Sequence, residues 1–105
     1  MLLDECMPKR LRRDLPGIEV STVADEGWLG RRNGDLLRSM TEAGFTHLVT
    51  VDRNRAFQQN VAVAGVAVIV MHARTNRIAD LRPLMGNVIE VLTTTGPGQV
   101  IHVGV

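Results

Sequence analysis

Cysteine occurs once in the chain, at Cys6, tyrosine is absent, and the aromatic rings are limited to Trp28, Phe45 and Phe57. A single thiol excludes an internal disulfide and a cysteine-built zinc cage. Three scattered rings exclude a stacking platform for single-stranded bases. Neither sign of charge dominates, since 12 Lys+Arg against 11 Asp+Glu leave a formal +1. A basic coat is therefore absent, and any nucleic-acid contact has to come from a local patch. The longest apolar stretch, Val61 to Met71, is too short to span a bilayer. The opening MLLDECMPKRLRR has only three apolar residues before acids intervene, unlike a secretory leader. These features predict a cytosolic protein with no membrane partner.

What remains suits one folded domain spanning residues 1–105. The 105 residues are 45% hydrophobic and 22% charged, which argues against disorder. A chain of this length buries most of its surface without disulfide or metal staples. Lys9 is the only lysine, and every other cation is an arginine, whose rigid fork of donors matches carboxylate or phosphate oxygens.

Short apolar runs alternate with helical patterns, the signature of an α/β fold with a mainly parallel, doubly wound sheet of about five strands. The first strand is Met1–Leu3. Pro8 fits the first turn of a helix striped by Met7, Leu11 and Leu15, which Pro16-Gly17 stops. Ile18 to Val23 alternates as a strand, and 24–32 is irregular. Asn33 can cap a helix with the stripe Leu36, Leu37, Met40 and Ala43, closed by Gly44. His47 to Val51 is the third strand, and Asn54 to Val61 a short helix with Ala56 and Phe57 on one side. Val66 to Met71 reads as a strand covered on both faces. Asp80 can cap the last helix, with Pro83 in its first turn and Met85, Val88, Ile89 and Leu92 buried. Val100 to Val103 adds an edge strand. The resulting order is β-α-β-α-β-α-β-α-β, a three-layer arrangement.

Nine of the eleven acids precede residue 56, which directs attention to the first half. Two strands there end in aspartate, Leu3-Asp4 and Thr50-Val51-Asp52. Open α/β sheets bind ligands beyond the carboxyl ends of strands where the strand order reverses. If the first and third strands are neighbours, Asp4 and Asp52 converge at that point, within reach of Glu5 and Asp35. Oxygen donors so placed suit Mg²⁺ or Mn²⁺. Crowded carboxylates repel, and a cation relieves the repulsion, polarises a phosphodiester and activates a water. The competing reading is local: an aspartate after a strand ordinarily caps or turns the chain, and Asp35 suits a helix start whatever the function.

These residues resemble the small PIN-like domains. Leu2-Leu3-Asp4-Glu5-Cys6-Met7-Pro8 is similar to their LLDE-x-x-P opening. Gly27-Trp28 with Asn33-Gly34-Asp35-Leu36-Leu37 resembles their middle motif, and Leu48 to Asn54 their hydrophobic-T-x-D strand end. Gln58 to Asn60, Ala73 to Arg77 and Pro97 to Val100 fit later blocks of one branch. The resemblance implies a PIN-like fold and a Mg²⁺- or Mn²⁺-dependent ribonuclease, often a toxin held by an antitoxin protein. Asp4, Asp35 and Asp52 would bind the metal and Glu5 would assist catalysis. Thr50 would orient or hydrogen-bond Asp52. The departure from the pattern is at Asn54, where many members carry a further aspartate.

Arg31, Arg32, Arg53 and Arg55 can hold RNA phosphates, with Asn54 beside them. The alternative for Arg31 and Arg32 is solvated arginine or pairing with Glu26 and Glu42. The Lys9–Arg13 face reads as solvated. His47, His72 and His102 share no ligand-like spacing and read as structural, Cys6 as a small buried thiol, and Trp28 as partly buried. The two exposed edges suit a homo-oligomer. A second function class is a non-catalytic module whose acidic mouth docks a basic partner segment. A receiver-like phosphoacceptor would need a lysine on a later strand, and Lys9 lies in the first helix.

Overall fold

A computed structural model describes residues 1–31, 33–52, 61 and 64–104, with Asn33 described by its backbone alone. Five strands, β1 (Leu2–Leu3), β2 (Ser21–Thr22), β3 (His47–Thr50), β4 (Ala67–Met71) and β5 (Val100–Val103), form one sheet in the order β2-β1-β3-β4-β5. Every pairing is parallel. The chain winds outward from β1 in one direction to β2, then crosses back to β3 and onward. The reversal falls between β1 and β3, so those strands are neighbours, as the paired strand-end acids require.

Alternation within the strands builds two cores. Leu2, Leu48, Val68 and Val70 face one side with Leu36, Leu37 and Met40 of α1 (Asn33–Ala43). Leu3, Val49, Ile69 and Met71 face the other, against Leu11 of a 3-10 helix (Lys9–Asp14) and Leu81, Met85 and Val88 of the C-terminal helical run. That run is α2 (Ile78–Leu81), a 3-10 turn (Arg82–Leu84) holding Pro83, and α3 (Met85–Leu92). All five residues of β4 are buried, as a strand covered on both faces must be.

Several expected boundaries move. β1 is two residues long, so β2 can pair only over Ser21–Thr22 and the alternation from Ile18 to Val23 is mostly unpaired chain. The first helix is of the 3-10 type. Leu11 N–H donates to Pro8 and Leu15 N–H to Arg12, each at i−3, while Met7, Leu11 and Leu15 are buried as expected. Pro8 is the extended residue before this helix and not part of its first turn. Residues i and i+3 eclipse in such a helix, which brings Lys9 and Arg12 onto one carboxylate: Asp25 is bonded at 2.7 and 2.9 Å. The Lys9 hydrogen bond leads in holding the Asp25 carboxyl below its ordinary range.

Asp80 is not a cap. The helical run starts at Ile78, and Asp80 sits in its first turn accepting the Thr75 hydroxyl. Ala43 is exposed at the end of α1, and Ile89 is turned outward because the buried stripe runs Met85–Val88 at i, i+3. The expected Asn54–Val61 helix, with Ala56 and Phe57, lies outside the described residues except for buried Val61, and so does the capping side chain of Asn33.

α1 ends in a paired reversal. Gly44 N–H donates to Thr41 at 3.2 Å and Phe45 N–H to Met40 at 2.9 Å, with Gly44 at φ +86°. Only glycine takes that conformation at low cost. Gly44→Ala is expected to lower stability by about 1 kcal/mol, seen as an earlier urea midpoint with unchanged slope. A midpoint equal to that of the native chain would remove the turn from the account.

Candidate active site at the ends of β1 and β3

Asp4 follows β1 directly, and its N–H donates to the Val49 carbonyl at 3.0 Å, which keeps it alongside β3. Thr50, the wholly buried last residue of β3, donates its hydroxyl to Asp4 Oδ2 at 2.6 Å. The same Oγ1 accepts the Asp52 N–H at 2.9 Å. Asp4 Oδ1 accepts the Glu5 N–H at 2.8 Å. One hydroxyl therefore ties both strand-end aspartates together, through the side chain of Asp4 and the backbone of Asp52. Thr50 meets Asp52 at its backbone N–H, and the carboxylate to which its hydroxyl donates is that of Asp4.

Burial pushes the Asp4 carboxyl above the ordinary aspartate range. The Thr50 and Glu5 hydrogen bonds pull it back, while the charges of Glu5 and Asp52 add to the rise. Desolvation and like charge disfavour the ionised form, and an approaching cation would favour it.

Asp35 and Glu5 make their own contacts. Asp35 is 59% exposed on the first turn of α1, in an i,i+3 ion pair with Arg38 at 3.4 Å. Its neighbours Leu36 and Leu37 take the buried stripe, which leaves Asp35 on the outer side. Glu5 points to the glycine-rich turn, where Oε2 accepts the Gly30 N–H at 3.4 Å. Among the described residues, no three His, Cys, Asp or Glu are grouped to hold a metal ion. Of the four expected carboxylates, Asp4 is tied to Asp52 through Thr50 and feels the charges of Glu5 and Asp52, while Asp35 is held by Arg38.

No family model, curated protein or solved structure matches this chain.

Arg31 pairs with neither Glu26 nor Glu42. Its guanidinium donates to Ser39 Oγ and lies 5.6 Å over the Trp28 ring. Trp28 is half-buried and meets Phe45 edge-on at 5.8 Å. Arg31, Asp35, Arg38, Ser39 and Glu42 line a shallow hollow of about 350 Å³ on the outer face of α1. Arg32, Arg53, Asn54 and Arg55 lie outside the described residues.

Cys6 is half-buried, and burial pushes its thiol up. Its sulfur is 3.9 Å from Thr50 Oγ1, and a thiol kept protonated is a poor nucleophile. Sequence reasoning missed the hub role of Thr50. The available signal was the Thr-x-Asp spacing, because a threonine oxygen readily accepts the N–H two residues on.

Proposed function

We propose that the chain is a PIN-like ribonuclease that hydrolyses RNA phosphodiesters with Mg²⁺ or Mn²⁺ held between Asp4 and Asp52. The observation that carries this reading is the Asp4–Thr50–Asp52 junction at the strand-order reversal, where α/β sheets place their ligands. The donor set fits the ion. Mg²⁺ keeps several waters and takes one or two carboxylates plus substrate phosphate, so a third acid is not required. Asp4 accepts one hydrogen bond on each oxygen, and a carboxylate oxygen has a second lone pair to offer.

When bound, the ion would polarise the phosphodiester and lower the pKa of a coordinated water. The protein's part is positional. Thr50 fixes the Asp4 carboxylate against rotation, the parallel pairing of β1 and β3 fixes the spacing of the two acids, and the buried strand ends limit water on the protein side. Asp35 and Glu5 are assigned no ligand role in this reading. Arg31 would meet substrate phosphate only by leaving Ser39. A cytoplasmic location, an antitoxin partner and a homo-oligomer paired through β2 or β5 belong to the same proposal. Among the described residues, no helix is long and apolar enough to cross a membrane.

Calorimetric titration of Mn²⁺ tests it. The native chain should bind, and Asp4→Asn or Asp52→Asn should weaken binding about tenfold or more, as loss of one of two ligands implies. Cleavage of a labelled RNA should fall in parallel. Equal Mn²⁺ affinity in all three proteins would end the metal assignment.

A second reading is favoured by the exposure of Asp35 away from the mouth, which leaves two acids in place of three or four. It is a binding module whose mouth docks a basic peptide. Salt-sensitive, metal-independent binding of an arginine-rich peptide, lost in Asp52→Asn, would support it over the nuclease.

A further inference from the structure

We propose that His72 and His102 form a two-imidazole site for a borderline divalent transition cation of the Zn²⁺, Ni²⁺ or Cu²⁺ class, which clamps the edge strand β5 to β4. The sequence gives no hint of it, because thirty positions separate the two residues. The sheet brings them together. His102 is the third residue of β5 and stands opposite Val70 in the register. His72 is two residues beyond Val70, so the two rings are diagonal neighbours on one face. The His72 N–H donates to the Val103 carbonyl at 2.8 Å, which locks that register just past the last paired residues.

The rings converge through nitrogen. His72 Nε2 lies 2.6 Å from His102 Nδ1, with centroids 4.8 Å apart and planes at 56°. At that distance one nitrogen carries a hydrogen and the other presents its lone pair. With His102 as the donor, moving its hydrogen to Nε2 leaves both lone pairs directed into the space between the rings. Nothing is oxidised or reduced, and two coordinate bonds replace one hydrogen bond. Zinc–imidazole bonds of about 2.0–2.1 Å place two ligand nitrogens roughly 2.9–3.4 Å apart. The nitrogens need to part by about 0.3–0.8 Å and the rings to turn towards the ion, a movement open to the exposed His102 side chain. Water would complete the coordination.

The chain beneath the pair is held firmly. Gly104 has φ +85°, and a Cβ there would come within 2.7 Å of the His72 carbonyl oxygen, so the backbone after β5 passes directly over His72. The third histidine is engaged apart from this pair, with Nδ1 at 2.8 Å from the Thr46 hydroxyl oxygen and Nε2 at 3.3 Å from the Thr95 carbonyl oxygen. Ligand chemistry also separates the pair from the acidic mouth. Imidazole suits zinc, nickel and copper, whereas carboxylates with water suit magnesium and manganese.

Titration of Ni²⁺ or Zn²⁺ into the intact chain, read by calorimetry and by thermal melting, tests the assignment. With the acidic mouth disabled by Asp52→Asn, one ion should still bind per chain and raise the melting temperature. His102→Ala, an exposed edge position, should weaken binding about tenfold or more, since one of two ligands is gone. His102→Gln should do the same with the side-chain size retained. Asp52→Asn removes any binding at the acidic mouth and keeps that at the histidine pair, so the result stands or falls independently of the nuclease reading. Unchanged affinity in both His102 variants, no heat of binding in the native chain, or loss confined to Asp52→Asn would each overturn it.

Discussion

Thr50→Val is expected to lose about 3 kcal/mol of stability at pH 7, the sum of two effects of separate origin. The carboxylate of Asp4, a residue 9% exposed, loses its 2.6 Å hydroxyl donor. A hydrogen bond to a charged group contributes about 1.5–3 kcal/mol. The Asp52 N–H loses its acceptor at the same time. Valine matches threonine in shape, so no cavity confuses the comparison. Thr50→Ser keeps the oxygen and loses one methyl, which costs about 1 kcal/mol.

The deficit also depends on pH, with a definite sign. The Asp4 carboxyl in the folded chain is already above its unfolded value, chiefly through burial, and loss of the Thr50 donor raises it further. A group raised on folding binds its proton more tightly in the native state. Its favourable contribution is complete below the unfolded pKa of about 3.9 and is lost as pH rises through the folded value. The gap between Thr50→Val and the native chain should therefore narrow on moving from pH 7 towards pH 4. Urea unfolding at both values measures it. Equal midpoints for the Val and Ser variants would show that the hydroxyl is not the tie between the strands.

Leu48→Ala is expected to cost about 3 kcal/mol, within the roughly 2–5 kcal/mol range for buried leucines. Leu48 is fully inaccessible on the central strand, paired in register with Leu2 on one side and Val68 on the other. Its side chain belongs to the core built on Leu36, Leu37 and Met40. Those partners are fixed by the sheet and by α1, so the vacated space cannot collapse easily. Ile89→Ala serves as the internal control, because Ile89 is 38% exposed and its truncation removes little buried area. A Leu48→Ala loss below about 1 kcal/mol would mean that this face repacks freely, against the close packing of protein interiors.

The periodic parts of the fold were legible in the chain. β4 and its two-sided burial followed from an unbroken apolar run, α1 from its stripe and its closing glycine, and the adjacency of β1 and β3 from the reversal expected after β2. The aspartates at both strand ends could be placed on the same logic. What was not legible depends on contacts that sequence spacing does not encode. Whether Asp35 turns to the mouth or to Arg38 depends on which side of α1 the apolar stripe leaves open. The partner of the Thr50 hydroxyl depends on Asp4 lying one strand away. Helix type at Lys9–Asp14 was hidden because Met7, Leu11 and Leu15 are buried in either geometry. Ile89 was misplaced for a similar reason: in a run as apolar as Val88 to Leu92, hydrophobicity alone does not say which residue faces out.

Among the described residues every strand pair is parallel, so none forms within a hairpin. Leu2 must meet Ser21 and also Leu48, and Val68 must meet Val100, each across an intervening crossover. Loop closure has to come before any ladder rewards it, the condition that slows folding in chains dominated by distant contacts. Until β3 and β5 arrive on either side, the five apolar residues of β4 have unpaired edges. The stage of greatest exposure to self-association is thus the interval before the β3-β4-β5 centre closes, and the strand that presents the hazard is the one most completely buried at the end.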